Sequence, residues 1–383
     1  MNTKPTGSKM PEGGEVRRMA DCLFKYLKGK KIISIDHSHS YRYADDIKDS
    51  LAEMDQLYPL EVVSIFTQGK LIIFKLLSRA IGTTDKTDGK NKTDGKNKTG
   101  TTDKMDGKDK TDGKDKTGTT DKMDGKDDED DADNSDSGDA DNSDSGDGNR
   151  PYIYFVNHLN MEGKWKRNDP GKHSDLWLTI GEIGVNTITN DKLAMVTDYW
   201  YFDDSRTFGR FNIYTCEDDV VKRLKTQGPD VLQRALIDSG NLRIGQLDKL
   251  QTPLDFDIWV KKIKSTKQTM PICQYLKTPT KFSGCGNYNR AEILYESKVS
   301  PMRTLADLSD DDIKTLYDNS IKVLLASYLA NGLTIRSYQD PDGQGGNYQV
   351  KIYMQEYDPD GNKVEQIKVK GKQTVHWVPA VQK

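Results

Sequence analysis

Between Thr83 and Gly148 the chain repeats itself in Lys, Thr, Asp and Gly and offers almost nothing to bury. The run Thr-Thr-Asp-Lys-Met-Asp-Gly-Lys-Asp occurs from Thr101 and again from Thr119. After Lys126 the pattern turns acidic, with eleven Asp or Glu from Asp127 to Asp147. No packed core can offset the ordering entropy of such a segment, so a disordered insert is expected. Any folded body must be assembled from the two stretches that flank it. Calcium binding is a sharper use for the acidic repeats, but they lack the invariant turn and terminal Glu of an EF-hand loop. Mimicry of a nucleic acid, competing for a basic face of the body, is another.

The insert also hides the charge of the body. The segment from Ile81 to Asn149 holds 12 lysines and 21 acidic residues, so the remainder carries 45 basic against 39 acidic side chains, although the whole chain has net charge −3. A net of about +6 is compatible with a polyanionic partner and does not by itself demonstrate one. There is no apolar run of transmembrane length and no signal-peptide pattern, so a soluble, intracellular protein is expected, with no membrane partner. Cys22, Cys216, Cys273 and Cys285 are scattered without a Cys-x-x-Cys pair, which indicates reduced thiols and neither zinc nor a disulfide framework.

The flanking stretches read differently from each other. Before the insert, Val16, Ala20, Leu23 and Leu27 share one face of a predicted helix over Gly14 to Leu27. Lys31 to Ile35, Val62 to Phe66 and Lys70 to Leu77 read as strands, as do Tyr152 to Val156, Leu176 to Ile180 and Met195 to Phe202 beyond it. This predicts a helix on a β-sandwich, with the insert at a strand-to-strand connection. The C-terminal half reads as helices over Phe256 to Lys264, Met270 to Lys277, Tyr288 to Lys298 and Asp310 to Ala330. The last has Ser309 as N-cap, an end at Asn331-Gly332, and a stripe of Ile313, Leu316, Ile321, Leu324, Leu325 and Tyr328. Val364 to Lys370 and Gln373 to Val378 alternate about a Gly371-Lys372 turn as a hairpin. The fold class is α+β.

One short run carries chemistry. Met10-Pro11-Glu12-Gly13-Gly14-Glu15-Val16 would expose a secondary amine at Pro11 if Met10 were the working start and were trimmed. As written, the chain begins nine residues earlier, and Pro11 lies in a tertiary amide with no N–H. The run also reads simply as a turn entering a helix, with Glu12 and Glu15 as partners of the helix dipole.

Four further segments follow in order: Gln68-Gly69-Lys70; His158-Leu159-Asn160-Met161-Glu162-Gly163; Asp204-Ser205-Arg206-Thr207-Phe208-Gly209; and Ser283-Gly284-Cys285-Gly286-Asn287 running into Ala291-Glu292-Ile293-Leu294 and Pro301. With Pro-Glu-Gly-x-Glu-Val in front, this order resembles the Fpg/Nei family of bifunctional DNA glycosylases, over nearly all the chain except the first nine residues and the insert. The resemblance implies a catalytic β-sandwich domain over 11–217 interrupted by the insert at 82–149, a helix-two-turn-helix domain over 218–335 and a finger hairpin over 336–383. It implies that 1–10 is an extension, absent or removed.

It further implies that Pro11 attacks C1′ of a damaged nucleoside, that Glu12 protonates the sugar ring oxygen, that Glu15 supports it, and that Lys70 contacts the phosphate and assists elimination. Asn287 would bind phosphate at a helix start, and Met161, Arg206 and Phe208 would fill the gap left by an everted base. Met161 and Phe208 also read as ordinary core residues. Where the family's finger has cysteines this chain has Val378 and Val381, resembling the zincless-finger branch, with Val364, Ile367, Val369, Val375 and Trp377 available to pack in place of a metal. No cofactor is expected, and the partner is damaged DNA, met as a monomer in the nucleus or at a DNA replication site.

Three departures stand out. Gly14 replaces a second proline and is expected to loosen the turn presenting Pro11. Thr207 stands where bacterial relatives often have arginine. Gln373 replaces the finger arginine and carries no charge, which leaves the final elimination step in question. Two other functions compete: a catalytically inactive DNA-lesion binder with its amine blocked, and an interaction protein whose working part is the insert. Neither lesion preference nor strand preference is legible, since Leu333 to Tyr353 supplies no decisive residue.

Overall fold

The computed structural model describes residues 11–80, 151–185, 192–334, 339–369 and 373–383. The expected extension, the insert and the Gly371-Lys372 turn lie outside the described residues. Helix α1 (Gly13–Leu27) buries Val16, Met19, Ala20, Leu23 and Leu27 and packs on β2. The strands are β1 (Lys31–His37), β2 (Leu60–Gln68), β3 (Leu71–Ser78), β4 (Tyr152–His158), β5 (Lys164–Arg167), β6 (Ser174–Val185), β7 (Lys192–Asp203) and β8 (Arg210–Tyr214), with α2 (Ala44–Met54) between β1 and β2. Helix α2 escapes a periodicity reading because it buries only Ile47 and Met54.

All eight strands form one antiparallel sheet, in the order β5-β7-β6-β1-β2-β3-β4-β8. The sheet curls until its ends face one another. Trp165 of β5 and Phe211 of β8 lie 5.9 Å apart, ring centre to ring centre, and Phe202 of β7 meets Phe211 edge to face at 4.8 Å. The sandwich is thus a single sheet folded over an aromatic core. The Trp165 indole donates to Asn157 Oδ1 at 3.1 Å, which satisfies the polar end of that ring. Leu77 of β3 pairs with Tyr152 of β4, so residues 79–151 span a hairpin connection, where length costs little entropy.

The C-terminal half follows with α3 (Glu217–Leu224), α4 (Val231–Asp238), α5 (Phe256–Lys264), α6 (Ile272–Tyr275), α7 (Asn287–Glu296) and α8 (Asp310–Leu329), closing with the hairpin β9 (Glu365–Val369) and β10 (Gln373–Trp377). Helix α6 is shorter than its apolar pattern suggests, four residues framed by Pro271 and Pro279. Ser309 caps α8 as expected, accepting from Asp312 N–H at 3.1 Å while the Asp312 carboxylate accepts from Ser309 N–H at 2.9 Å. The buried face of α8 differs from the predicted stripe. It is Ile313, Leu316, Tyr317, Ser320, Val323, Leu324 and Ser327, because small serines let α8 approach its neighbours closely, and Ile321, Leu325 and Tyr328 sit at its margin.

The hairpin is held by apolar contact, and two buried carboxylates fix the segment that leads into it. Val375 joins the helical core, with Ile367 and Val369 packed against it, while Val364 and Val378 pack with Tyr288, Ala291, Tyr295, Ile352 and Tyr353. Trp377 is only half-buried. Glu292 of α7 accepts the N–H groups of Lys351, Ile352 and Tyr353, and Asp358 accepts those of Asp360 and Asn362 and the Tyr295 hydroxyl. Among the described residues no helix is long and apolar enough to cross a membrane.

Candidate active site

The loop Ser283-Gly284-Cys285-Gly286 is where the two halves of the chain meet. Gly13 N–H, at the start of α1, donates to Gly284 O at 2.8 Å. A Cβ at Gly286 would lie 1.9 Å from Glu12 Oε1, and one at Gly69 2.8 Å from Ser283 Cβ. These close approaches explain the glycines. They bring the Pro11-Glu12 run, the Lys70 turn and Asn287 to one place.

Glu12 is buried at the mouth of α7. Its two carboxylate oxygens accept the N–H groups of Tyr288 and Asn289, each at 3.1 Å. A carboxylate at a helix N-terminus satisfies orphan donors and meets the positive end of the dipole. Glu15, fully buried one turn into α1, accepts from Glu12 N–H at 3.0 Å, Leu333 N–H at 2.8 Å and the Tyr288 hydroxyl at 2.8 Å. Burial raises the Glu15 pKa above the usual carboxylate range, and the charge of Glu12 adds to this. Both glutamates are more than dipole partners of their own helix, since each binds groups contributed by the C-terminal half. Pro11 is buried beside them.

Gly14 does not loosen a turn as expected. It sits inside α1, and a Cβ there would come within 2.5 Å of Ser327 Oγ on α8. The absence of a side chain permits tight contact between α1 and α8.

Lys70 is half-buried at the tip of the β2–β3 turn. Gly69 before it has φ +62, and its N–H donates to Asp230 Oδ2 at 2.8 Å. Asp230 also caps α4, accepting from Leu232 N–H at 2.8 Å, and burial lifts its pKa to about 6. Gln68 is fixed as well: its Nε2 donates to Gly228 O at 2.7 Å and its Oε1 accepts from Thr252 N–H at 3.1 Å. Two basic groups near Lys70 were given no role by sequence reasoning. Burial pushes His158 down to about 4, with Lys70, Arg223 and Arg210 pressing the same way. Burial pushes Lys277 down to about 8, again with Lys70 as the next cause.

Strand register carries the remaining segments to the same edge. Leu71 pairs with His158, and His158 with Arg210. Lys70, the loop holding Met161 and the loop holding Phe208 therefore leave the sheet side by side. Buried Asp204 ties the last of these, accepting N–H groups from Arg206 at 3.1 Å, Phe208 at 2.9 Å and Gly209 at 2.6 Å. Those bonds hold Thr207 at φ +52, a conformation that β-branched residues rarely adopt. Arg206 Nη1 contacts Met161 Sδ at 3.4 Å, and Asn160 Nδ2 donates to Phe208 O. Phe208 is 37% exposed, Arg206 is exposed and Met161 is half-exposed, so neither Met161 nor Phe208 is a core residue.

Asn287 is the first residue of α7, half-buried, and Gln373 is exposed at the start of β10. Between them lies a side chain that sequence reasoning missed. Arg290 is 1% exposed, and its guanidinium donates to Thr374 O at 3.0 Å, Asn287 Oδ1 at 3.4 Å and Gln373 Oε1 at 3.4 Å. One helical turn after Asn287, it was hidden in a run read only as a helix. Asp230 was equally silent, and Asp204 was named in its segment without a role, because a carboxylate that holds backbone looks like any other loop aspartate.

No family profile matches the chain. Among curated proteins it is 28% identical over 242 residues to the formamidopyrimidine-DNA glycosylase of Lactiplantibacillus plantarum, covering 60% of this chain and 75% of that protein. It is 32% identical over 243 residues to that of Prochlorococcus marinus, covering 60% of this chain and 71% of that protein. Among solved structures, Lactococcus lactis Fpg in complex with DNA containing an abasic site superposes with TM-score 0.60 at 19% identity, covering 97% of this chain and 99% of that one. MutM (Fpg) of Thermus thermophilus superposes with TM-score 0.59 at 19% identity, covering 97% and 98%. These structures establish the fold, and the sequence relatives establish the lineage: the chain belongs to the formamidopyrimidine-DNA glycosylase family.

Proposed function

We propose that this DNA glycosylase of base excision repair is bifunctional, removing an oxidised base and then nicking the strand. In this reading Pro11, exposed as the first residue of the working protein, attacks C1′ with its secondary amine and expels the base. The amine nucleophile divides one hard hydrolysis into two easier steps, and the resulting iminium acidifies the 2′ proton for β-elimination of the 3′ phosphate. Glu12 protonates the ring oxygen as the sugar opens, with Glu15 fixing the backbone of Glu12 through its N–H. Lys70 and Asn287 hold phosphate, and Met161, Arg206 and Phe208 occupy the gap in the stack. The packing of Val378, where relatives carry a finger cysteine, supports a hairpin that needs no zinc. The reaction calls on no cofactor. A nuclear or replication-site location would suit the substrate.

The observation that carries this reading is the convergence on the Ser283–Gly286 loop. Gly13 bonds to Gly284, Glu12 binds the start of α7, and Gly69 lies against Ser283, so amine and acid from one segment and lysine from a second converge on a third. The test is borohydride reduction of a protein beginning at Pro11 mixed with abasic duplex DNA. A covalent adduct that maps to Pro11 is expected. Recovery of uncrosslinked complex alone would refute the covalent mechanism and leave an inactive lesion binder.

A further inference from the structure

We propose that Arg290 is a positioning residue for phosphate capture: from beneath the surface it turns the carboxamides of Asn287 and Gln373 so that their oxygens face inward and their amino groups face the DNA. The inference rests on the reading above, in which Asn287 meets a phosphate. It adds a role for a residue that touches no substrate, and it explains how a finger hairpin without an arginine can serve.

Three observations support it. Arg290 is 1% exposed and has no carboxylate partner among the described residues, although an unpaired guanidinium is costly to bury. Its Nη1 reaches Gln373 Oε1 and its Nη2 reaches Asn287 Oδ1, both at 3.4 Å, so one planar fork engages two amides on different elements. The nitrogens of these amides have no hydrogen-bond partner among the described residues, while Gln373 is exposed and Asn287 half-buried. An amide oxygen that accepts from a cation is polarised, which strengthens its amino group as a donor. The pair of donors would thus carry part of the Arg290 charge to the surface, and a phosphate above them would supply the anion that the buried guanidinium lacks.

The test compares Pro11-start proteins by fluorescence anisotropy on a duplex bearing a tetrahydrofuran abasic analogue, which requires no chemistry. Gln373→Met and Arg290→Met are each expected to weaken binding about tenfold, as for loss of one charge-assisted hydrogen bond. The double variant should bind no worse than Arg290→Met alone, because Gln373 is effective only while Arg290 orients it. Losses that multiply would overturn the proposal. Arg290→Lys, which keeps the charge and loses the fork, should melt like the wild type and bind like Arg290→Met; binding restored by lysine would overturn it too.

In nicking of an abasic duplex the loss should appear in KM and leave kcat within about twofold, since uniform binding is what is removed. Should Arg290→Met fail to fold, Gln373→Glu decides. It retains an oxygen for Arg290 and cannot donate, so it should raise the melting temperature while weakening DNA binding. A lowered or unchanged melting temperature would show that Arg290 does not engage this position. If the wild type itself neither binds the analogue nor forms a borohydride adduct, the fault lies in the proposed function and not in the role of Arg290.

Discussion

Asp230 accepts the N–H of Gly69 at 2.8 Å, so a buried carboxylate of the helical half grips the tight turn that carries Lys70. Its other oxygen caps α4 through Leu232 and Gln233. One side chain thereby couples the position of a candidate catalytic lysine to the packing of the two halves. Asp230→Asn should keep the cap and lose the Gly69 bond, since an amide offers one oxygen instead of two. Strand nicking should fall by about tenfold while DNA binding changes little, the response expected when a positioned group moves by a fraction of an ångström. Equal nicking by gel assay would show that the turn holds without Asp230.

The same group makes stability depend on pH. The folded-state pKa of Asp230 lies near 6, above the ordinary aspartate value of 3.8, so the folded protein holds this proton more tightly than the unfolded chain. The contribution is complete below about pH 4 and is lost as pH rises through 6, roughly 3 kcal/mol over the whole shift. The stability advantage of wild type over Asp230→Asn should therefore shrink between pH 4 and pH 7 in chemical denaturation. An advantage that grows with pH would contradict this assignment.

His158 reports on Lys70. Burial holds the imidazole near pKa 4, and the Lys70 ammonium adds to the depression, so removing that charge in Lys70→Gln should raise the value. The His158 ring protons followed by NMR titration are expected to shift to higher pH in the variant. An unchanged midpoint would place Lys70 farther from His158 than described.

Phe208 should matter for DNA and not for folding. It is 37% exposed, and the loop around it is held by backbone bonds to Asp204. Phe208→Ala should change unfolding free energy by no more than about 0.5 kcal/mol, yet lower affinity for lesion duplex about tenfold through loss of the wedge. Asp204→Ala should affect folding as well, destabilising the protein by about 1–3 kcal/mol as three N–H groups, that of Gly209 buried, lose their acceptor.

The hairpin should be indifferent to chelators. Val375 is 1% exposed and Val378 fully buried, so Val378→Asp, which buries an unpaired charge, should lower the melting temperature by several degrees or more, whereas incubation with a chelator should leave it unchanged. A chelator-dependent melt would restore a metal to this element.

Much of the fold was legible because it rests on local pattern. The α1 stripe, the Ser309 cap and the alternation of β9 and β10 all declare themselves through spacing within a few residues. Helices α3 and α4 and strands β5 and β8 did not, since they are short and take their definition from partners far along the chain. For the site, the candidate residues came from ordered motifs, and Glu12, Glu15, Lys70 and Asn287 do converge. Asp230 and Arg290, which hold the Lys70 turn and Asn287, bind backbone or amide groups and follow no motif, while Asp204 lies inside an ordered segment that gave it no role.

From its residues alone this chain could be read as an α+β body split by a segment that cannot pack, with an amine, two carboxylates and a lysine as its chemistry. Hydrophobic period and turn chemistry are short-range properties, so they survive in one dimension. That Glu12 would seat itself on α7, that Gly14 would be a contact with Ser327, and that a buried arginine would lie behind Asn287 and Gln373 depended on packing. Apart from Arg290 with Asn287, one helical turn away, each joins residues from tens to hundreds of positions apart, and the close approach and low dielectric that give them meaning exist only once the two halves have met.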